Sequence, residues 1–201
     1  ISCVASGAWS GNKTLSGNQS TGTLTASSSY SLTCTGAGGG ASVSTTVAVL
    51  PGPTVSLSAN PVSVGSGGSS TLIWSSTDAT SCVASGAWSG NKAISGSEST
   101  GNLTASSSYS LACTGAGGGA SASMTVTVFP VPTVSLSANP TLVASGRSST
   151  LTWSSTDATS CVASGAWSGS KALSGSESSG ALTSSGTFSL ACTGPSGTAS
   201  A

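Results

Sequence analysis

Apolar residues fall on a two-residue beat along most of this 201-residue chain, and no window shows the three-to-four-residue beat of a helix. The middle of the chain shows it best. Val55 and Leu57 alternate with serine across residues 53–59, Asn60-Pro61 interrupts, and Val62-Ser-Val64 runs into the turn Gly65-Ser-Gly-Gly68. Leu72 and Trp74 share a face within residues 70–76, and Asp78 falls in the turn that follows. Residues 81–84 predict a short strand that gives way at Gly86, ahead of Trp88-Ser-Gly90. Residues 92–101 are weakly patterned and predict an edge strand with loops, and residues 102–104 predict one more strand. Tyr109, Leu111 and Cys113 then share a face, the glycine run 115–119 predicts a hairpin, and Met124, Val126 and Val128 point inward from residues 121–128. Seven or so short strands separated by glycine, serine and Asn-Pro turns predict an all-β fold of two packed sheets.

The same pattern returns every 79 residues. The segment SCVASGAWSG starts at Ser2, Ser81 and Ser160, and the cysteines fall at Cys3 and Cys34, Cys82 and Cys113, Cys161 and Cys192. A period of this length describes an array of equivalent units. The units read as residues 1–50, which lack the opening strands, 53–129, which are complete, and 132–201, which lack the final strand. Pro51 with Pro53, and Pro130 with Pro132, lie between them and favour extended, semi-rigid joints. With the last strand feeding straight into the next first strand, the expected rise is roughly 40 Å per unit at about 3.3 Å per residue. The partial outer units fit either a stretch of a longer array or a subunit completed by a neighbouring chain. Ile1 falls inside a unit, so the start of the chain carries no information about a leader.

Six cysteines permit 15 pairings, and the repeat favours the within-copy set. Even, fixed pairs point to disulfides and an oxidising, secreted or surface-exposed setting. Zinc prefers C-x2-C clusters and histidine; neither occurs here, so no metal and no other cofactor is expected.

Three motifs carry a family likeness: P-T-V-S-L-S-A-N-P at Pro53 and Pro132, S-S-T-L-x-W-S-S around Trp74 and Trp153, and Tyr109-x-Leu-x-Cys113. Through them the whole chain resembles the tandem immunoglobulin-like repeats of bacterial extracellular adhesins, stalks and fibres. The resemblance implies immunoglobulin-like β-sandwich domains placed end to end. It also implies a corner-tyrosine role for Tyr30 and Tyr109, with Phe188 at the same phase lacking the hydroxyl. In antibody domains the cysteine precedes the tryptophan, whereas Trp74 precedes Cys82 here, so the resemblance implies a bridge between the third and sixth strands of the sandwich.

Composition removes several functions. Four basic and four acidic residues, no histidine and zero net charge leave no basic face for nucleic acid. No apolar run is long enough to span a bilayer. About a quarter of the residues are serine; such a composition often signals disorder, but disordered segments lack the apolar alternation seen here. Without histidine no nucleophile–base pair assembles, so no catalytic residue is named. Asp78 and Asp157 lie in S-S-T-D-A-T turns, where an Asx-type turn competes with a calcium ligand. Lys92 with Glu98, and Lys171 with Glu177, read as exposed pairs of little worth, and Gln19 stands at the carboxylate position of the first copy. The sequons at Asn12, Asn18 and Asn102 do not recur in phase and read as chance.

Trp9, Trp88 and Trp167 are the candidate ligand or lateral-contact residues. Each sits in A-W-S-G outside the alternation, placed either to stack on sugars and neighbouring fibres or to fold back over the end of the sandwich. Trp74 and Trp153, in phase with leucine, read as core. The expected function is a non-catalytic shaft of an extracellular filament, stalk or adhesin that self-associates with neighbouring copies or chains. The alternative is a carbohydrate- or surface-binding module of a secreted enzyme or lectin.

Overall fold

The computed structural model describes all 201 residues, Ile1 to Ala201, and every regular element in it is a β-strand. In the first copy β1 (Ser2–Gly7), β2 (Gly11–Lys13), β3 (Ser28–Gly36) and β4 (Gly39–Val47) form one sheet in the order β2-β1-β3-β4. The middle copy contributes β5 (Thr54–Asn60), β6 (Ser63–Gly65), β7 (Thr71–Thr77), β8 (Ser81–Gly86), β9 (Gly90–Lys92), β10 (Ser95–Ser99), β11 (Ser107–Gly115) and β12 (Gly118–Phe129). These divide into a three-stranded sheet, β10-β7-β5, and a five-stranded sheet, β6-β12-β11-β8-β9. The third copy repeats the plan with β13 (Thr133–Asn139), β14 (Thr150–Thr156), β15 (Ser160–Gly165), β16 (Gly169–Lys171), β17 (Ser174–Ser178), β18 (Phe188–Gly194) and β19 (Gly197–Ser200).

Sequence parity decides which side of each strand is buried. Along β7, Leu72 and Trp74 are buried while their neighbours are exposed, and along β11 Tyr109, Leu111 and Cys113 are buried in turn. β12 supplies Val126 and Val128 to the same interior. The outward positions are largely serine and threonine, and their hydroxyls bond one another across strands: Thr54 to Thr77 at 2.7 Å, Ser56 to Ser75 at 2.7 Å, and Ser108 to Thr125 at 2.8 Å. Such cross-strand pairs contribute about 0.2–1 kcal/mol each. They keep a nearly uncharged surface polar.

Two facing sheets, the three-stranded one opened by β5 and the five-stranded one closed by β6 along β12, make the middle copy an immunoglobulin-like β-sandwich. No strand pairs across copies. The interior is thin, with 25 of 201 residues buried, so each buried ring or bridge carries a large share of the stability. Thirteen of them form the middle cluster and five the cluster of the third copy.

One feature departs from the sequence reading, and two more lay outside it. Residues 102–104 are not a strand: Leu103 makes one isolated bridge to Gly68 and plugs the core at 8% exposure. A strand there would need a neighbour with a free edge, and only the turn after β6 reaches it. The A-W-S-G segment is followed by a short edge strand, β9, that alternation could not reveal in three residues. Finally, β6 runs parallel to β12, pairing Val64 with Val128. Asn60–Pro61 is a cis bond, as is Asn139–Pro140, and each follows the opening strand of its copy.

Candidate functional site

Each cysteine pair sits on adjacent strands of one sheet. Cys82 on β8 lies directly opposite Cys113 on β11, with Cα atoms 4.0 Å apart, and a disulfide joins them. Cys3–Cys34 and Cys161–Cys192 repeat this arrangement at the same separation of 31 residues. The bridge therefore lies within the five-stranded sheet, and both sulfurs are buried against the facing one.

Above the bridge the chain leaves β8 at Gly86, whose φ is +92°. A side chain there would place Cβ 2.5 Å from the Ser108 carbonyl oxygen, the atom that accepts the Ala87 N–H at 2.9 Å. Gly7 and Gly165 share the geometry at φ 91° and 88°. Both the positive φ and the close backbone exclude alanine. Gly86→Ala is expected to destabilise the middle copy by more than about 1 kcal/mol, seen as a lowered thermal transition under non-reducing conditions. An unchanged transition would refute the geometry.

This turn delivers Trp88 into the sandwich. Its ring is 8% exposed, its Nε1–H donates to the Ser110 carbonyl at 3.0 Å, and it meets Trp74 and Tyr109 edge-on with centroids 5.3 and 6.2 Å away. Trp167 repeats the bond to Ser189 and the contacts to Trp153 and Phe188, at 5.4 and 6.2 Å. Phe188 repeats the edge-on ring contact of Tyr109 without the hydroxyl, though it is half-buried where Tyr109 is buried. Trp9 keeps its bond to Ser31 and its place on Tyr30, yet it is only half-buried, since the first copy has no counterpart of Trp74. Trp88 thus lies in the core with no face free for stacking on a ligand.

Trp74 in turn covers β10. Its Nε1–H donates to the Ala93 carbonyl at 2.9 Å, and a Cβ on Gly96 would meet the ring at 2.8 Å, so β10 passes beneath the indole only as glycine. Gly175 repeats this under Trp153.

Sequence spacing underrated the lysines. Lys92 lies opposite Cys82 in the β8–β9 register and so faces inward, while Glu98 on β10, opposite Leu72, reaches it from the rim with its side chain 45% exposed. They meet between the open edges of the two sheets, with Lys92 Nζ 5.0 Å from the Trp88 ring centroid and its side chain 14% exposed. Lys171, Glu177 and Trp167 repeat the clasp, and in the first copy Lys13 bonds Gln19 Oε1 at 2.7 Å. The carboxylate is therefore replaceable, whereas the lysine is constant. A cation over an indole contributes about 0.5–2 kcal/mol depending on its desolvation, and an inward charge on an edge strand also discourages pairing with a foreign strand. The signal available in the sequence was that lysine recurs at phase 13, 92 and 171 while its partner does not.

Asp78, between β7 and β8, and Asp157, between β14 and β15, adopt φ of 56° and 57°, a left-handed conformation that aspartate tolerates better than most residues. Neither belongs to a group of three acidic, histidine or cysteine side chains able to hold a metal ion.

These features define a disulfide-stapled immunoglobulin-like fold with an aromatic and lysine clasp at its open edge. No protein-family model matches the chain, and no curated protein matches it. A crystal structure of titin domains A168–A170 is similar to it with a TM-score of 0.44 and 14% sequence identity, over 85% of this chain and 70% of that one. The fold assignment rests on the strand topology described above.

Proposed function

We propose that this chain is a structural repeat segment of a secreted or surface-attached extracellular filament, stalk or adhesin shaft, with no catalytic activity. Its units are the stretches 1–50, 53–129 and 132–201, and its nearest functional analogy is the bacterial adhesin and stalk repeats whose motifs it resembles. The observation that carries the reading is the joint. β12 ends at Phe129 and β13 begins at Thr133, so the closing strand of one sandwich enters the opening strand of the next after three residues, two of them proline. Such a joint transmits tension along the strand direction and gives the array reach. A disulfide in every copy, fully buried in the middle and third, suits an oxidising exterior, and a neutral hydroxyl surface leaves little repulsion between neighbouring shafts.

The carbohydrate-binding alternative needs an indole face open to solvent; Trp88 offers none, and only the half-buried Trp9 and Trp167 could supply it. Negative-stain microscopy of the native material tests the proposal: uniform filaments with a repeat near roughly 40 Å are expected, and isolated globular particles would overturn it. Tryptophan fluorescence titrated with glycans tests the alternative, for which a blue shift with quenching would be the positive result.

A further inference from the structure

Where the middle copy meets the third, two segments 130 residues apart touch. The end of β6 presents Gly65 and the turn after it Ser66, and the hairpin between β18 and β19 presents Ser196. The Ser66 N–H donates to Ser196 Oγ at 2.9 Å and also reaches the Phe129 carbonyl at 3.0 Å. One amide therefore touches both the end of the middle copy's closing strand and the tip of the next copy's hairpin. Gly65 packs beneath this contact: a Cβ on it would sit 2.8 Å from Ser196 Oγ and 3.3 Å from its Cα. Gly65 has no left-handed φ, so room beneath the hairpin, and not backbone conformation, is what favours glycine there. The equivalent residue of the third copy, on which no hairpin sits, is Ala144. At the preceding joint the hairpin tip of the middle copy, Gly117, again abuts what comes before it, with a Cβ placed only 2.0 Å from the Pro51 carbonyl oxygen.

We propose that the hairpin joining the last two strands of each copy is a joint stop: it seats on the preceding copy or on the linker between them and fixes the angle between successive sandwiches, with Gly65 and Ser196 as the matched pair. Relative motion is the default for units sharing a small interface. The prolines restrict the linker, and the seated hairpin removes the freedom they leave. This inference rests on the shaft reading and deepens it, since a shaft needs a fixed angle as well as a short linker.

Single-molecule energy transfer tests it on the full chain. Dyes at Ser97 and Ser176, both exposed, are attached through non-canonical residues so that the six cysteines stay paired. The unmodified chain is expected to give one narrow distance distribution. Gly65→Val lifts the hairpin, and Ser196→Gly removes the acceptor while restoring the tip residue of the other two copies, Gly38 and Gly117. Each variant is expected to widen the distribution at least about two-fold, toward the range the linker alone allows. A narrow parent distribution that neither variant changes would overturn the stop and leave the shaft reading standing. A parent distribution already broad and collapsed would overturn both.

Discussion

Replacing Cys82 and Cys113 together by alanine will loosen the middle copy by between about 3 and 4 kcal/mol, the chain-entropy value for a closed loop of this size. The loop spans 31 residues and the bridge is fully buried, so its sulfurs also contribute packing. A chain with three separate sheet assemblies has no single unfolding free energy, so a local readout is needed. Native-state hydrogen exchange supplies it, because opening of β11 exposes the amides of Leu111 and Cys113, which are paired on both sides. Their exchange should accelerate by roughly 300-fold, the equivalent of about 3.5 kcal/mol at 1.4 kcal/mol per decade. Amides of β3 and β18, held by their own bridges, should keep their rates. Unchanged exchange in β11 would show that the cross-strand staple adds nothing beyond the sheet that already aligns the two strands.

Trp88→Ala is the second large effect, at about 3–5 kcal/mol for removing a buried ring of this size. The substitution opens a cavity between Trp74 and Tyr109, frees the Ser110 carbonyl and leaves Lys92 without its ring. Trp88→Phe separates these losses: it keeps part of the packing and removes the N–H donor, a change worth about 1 kcal/mol. Denaturant unfolding of the middle copy, followed by exchange of the same β11 amides, checks both. An exposed ligand-stacking tryptophan would behave oppositely, since surface substitutions usually stay within about 0.5 kcal/mol. A stability change that small for Trp88→Ala would sink the core placement and revive the carbohydrate reading.

The strand pattern was legible because serine and threonine sit at almost every outward position and leave the inward beat of Leu72, Trp74, Tyr109, Leu111 and Val126 unobscured. Cysteine phase within that beat was legible too: Cys113 follows Tyr109 and Leu111 at even steps, so it faces inward wherever they do. Segments without a beat were not. Leu103 is a single apolar residue among polar neighbours, and nothing local distinguishes a plug from a strand. The Lys92–Glu98 clasp was equally hidden, since two residues six apart read as a surface pair until two different sheets turn their inner faces toward one another.

The tryptophans mark where the sequence stops deciding. All three copies write S-G-A-W-S-G, and all three fold the local turn alike, with a positive-φ glycine and an indole N–H bonded to the strand beside it. Yet Trp88 is buried while Trp9 and Trp167 are half-buried. Local sequence determined the turn and the hydrogen bond, because both depend on backbone groups a few residues or one strand away. Burial depends on what the assembled strands bring around the ring: Trp9 has no facing indole, and Trp167, which has one, packs on the half-buried Phe188 where Trp88 packs on the buried Tyr109.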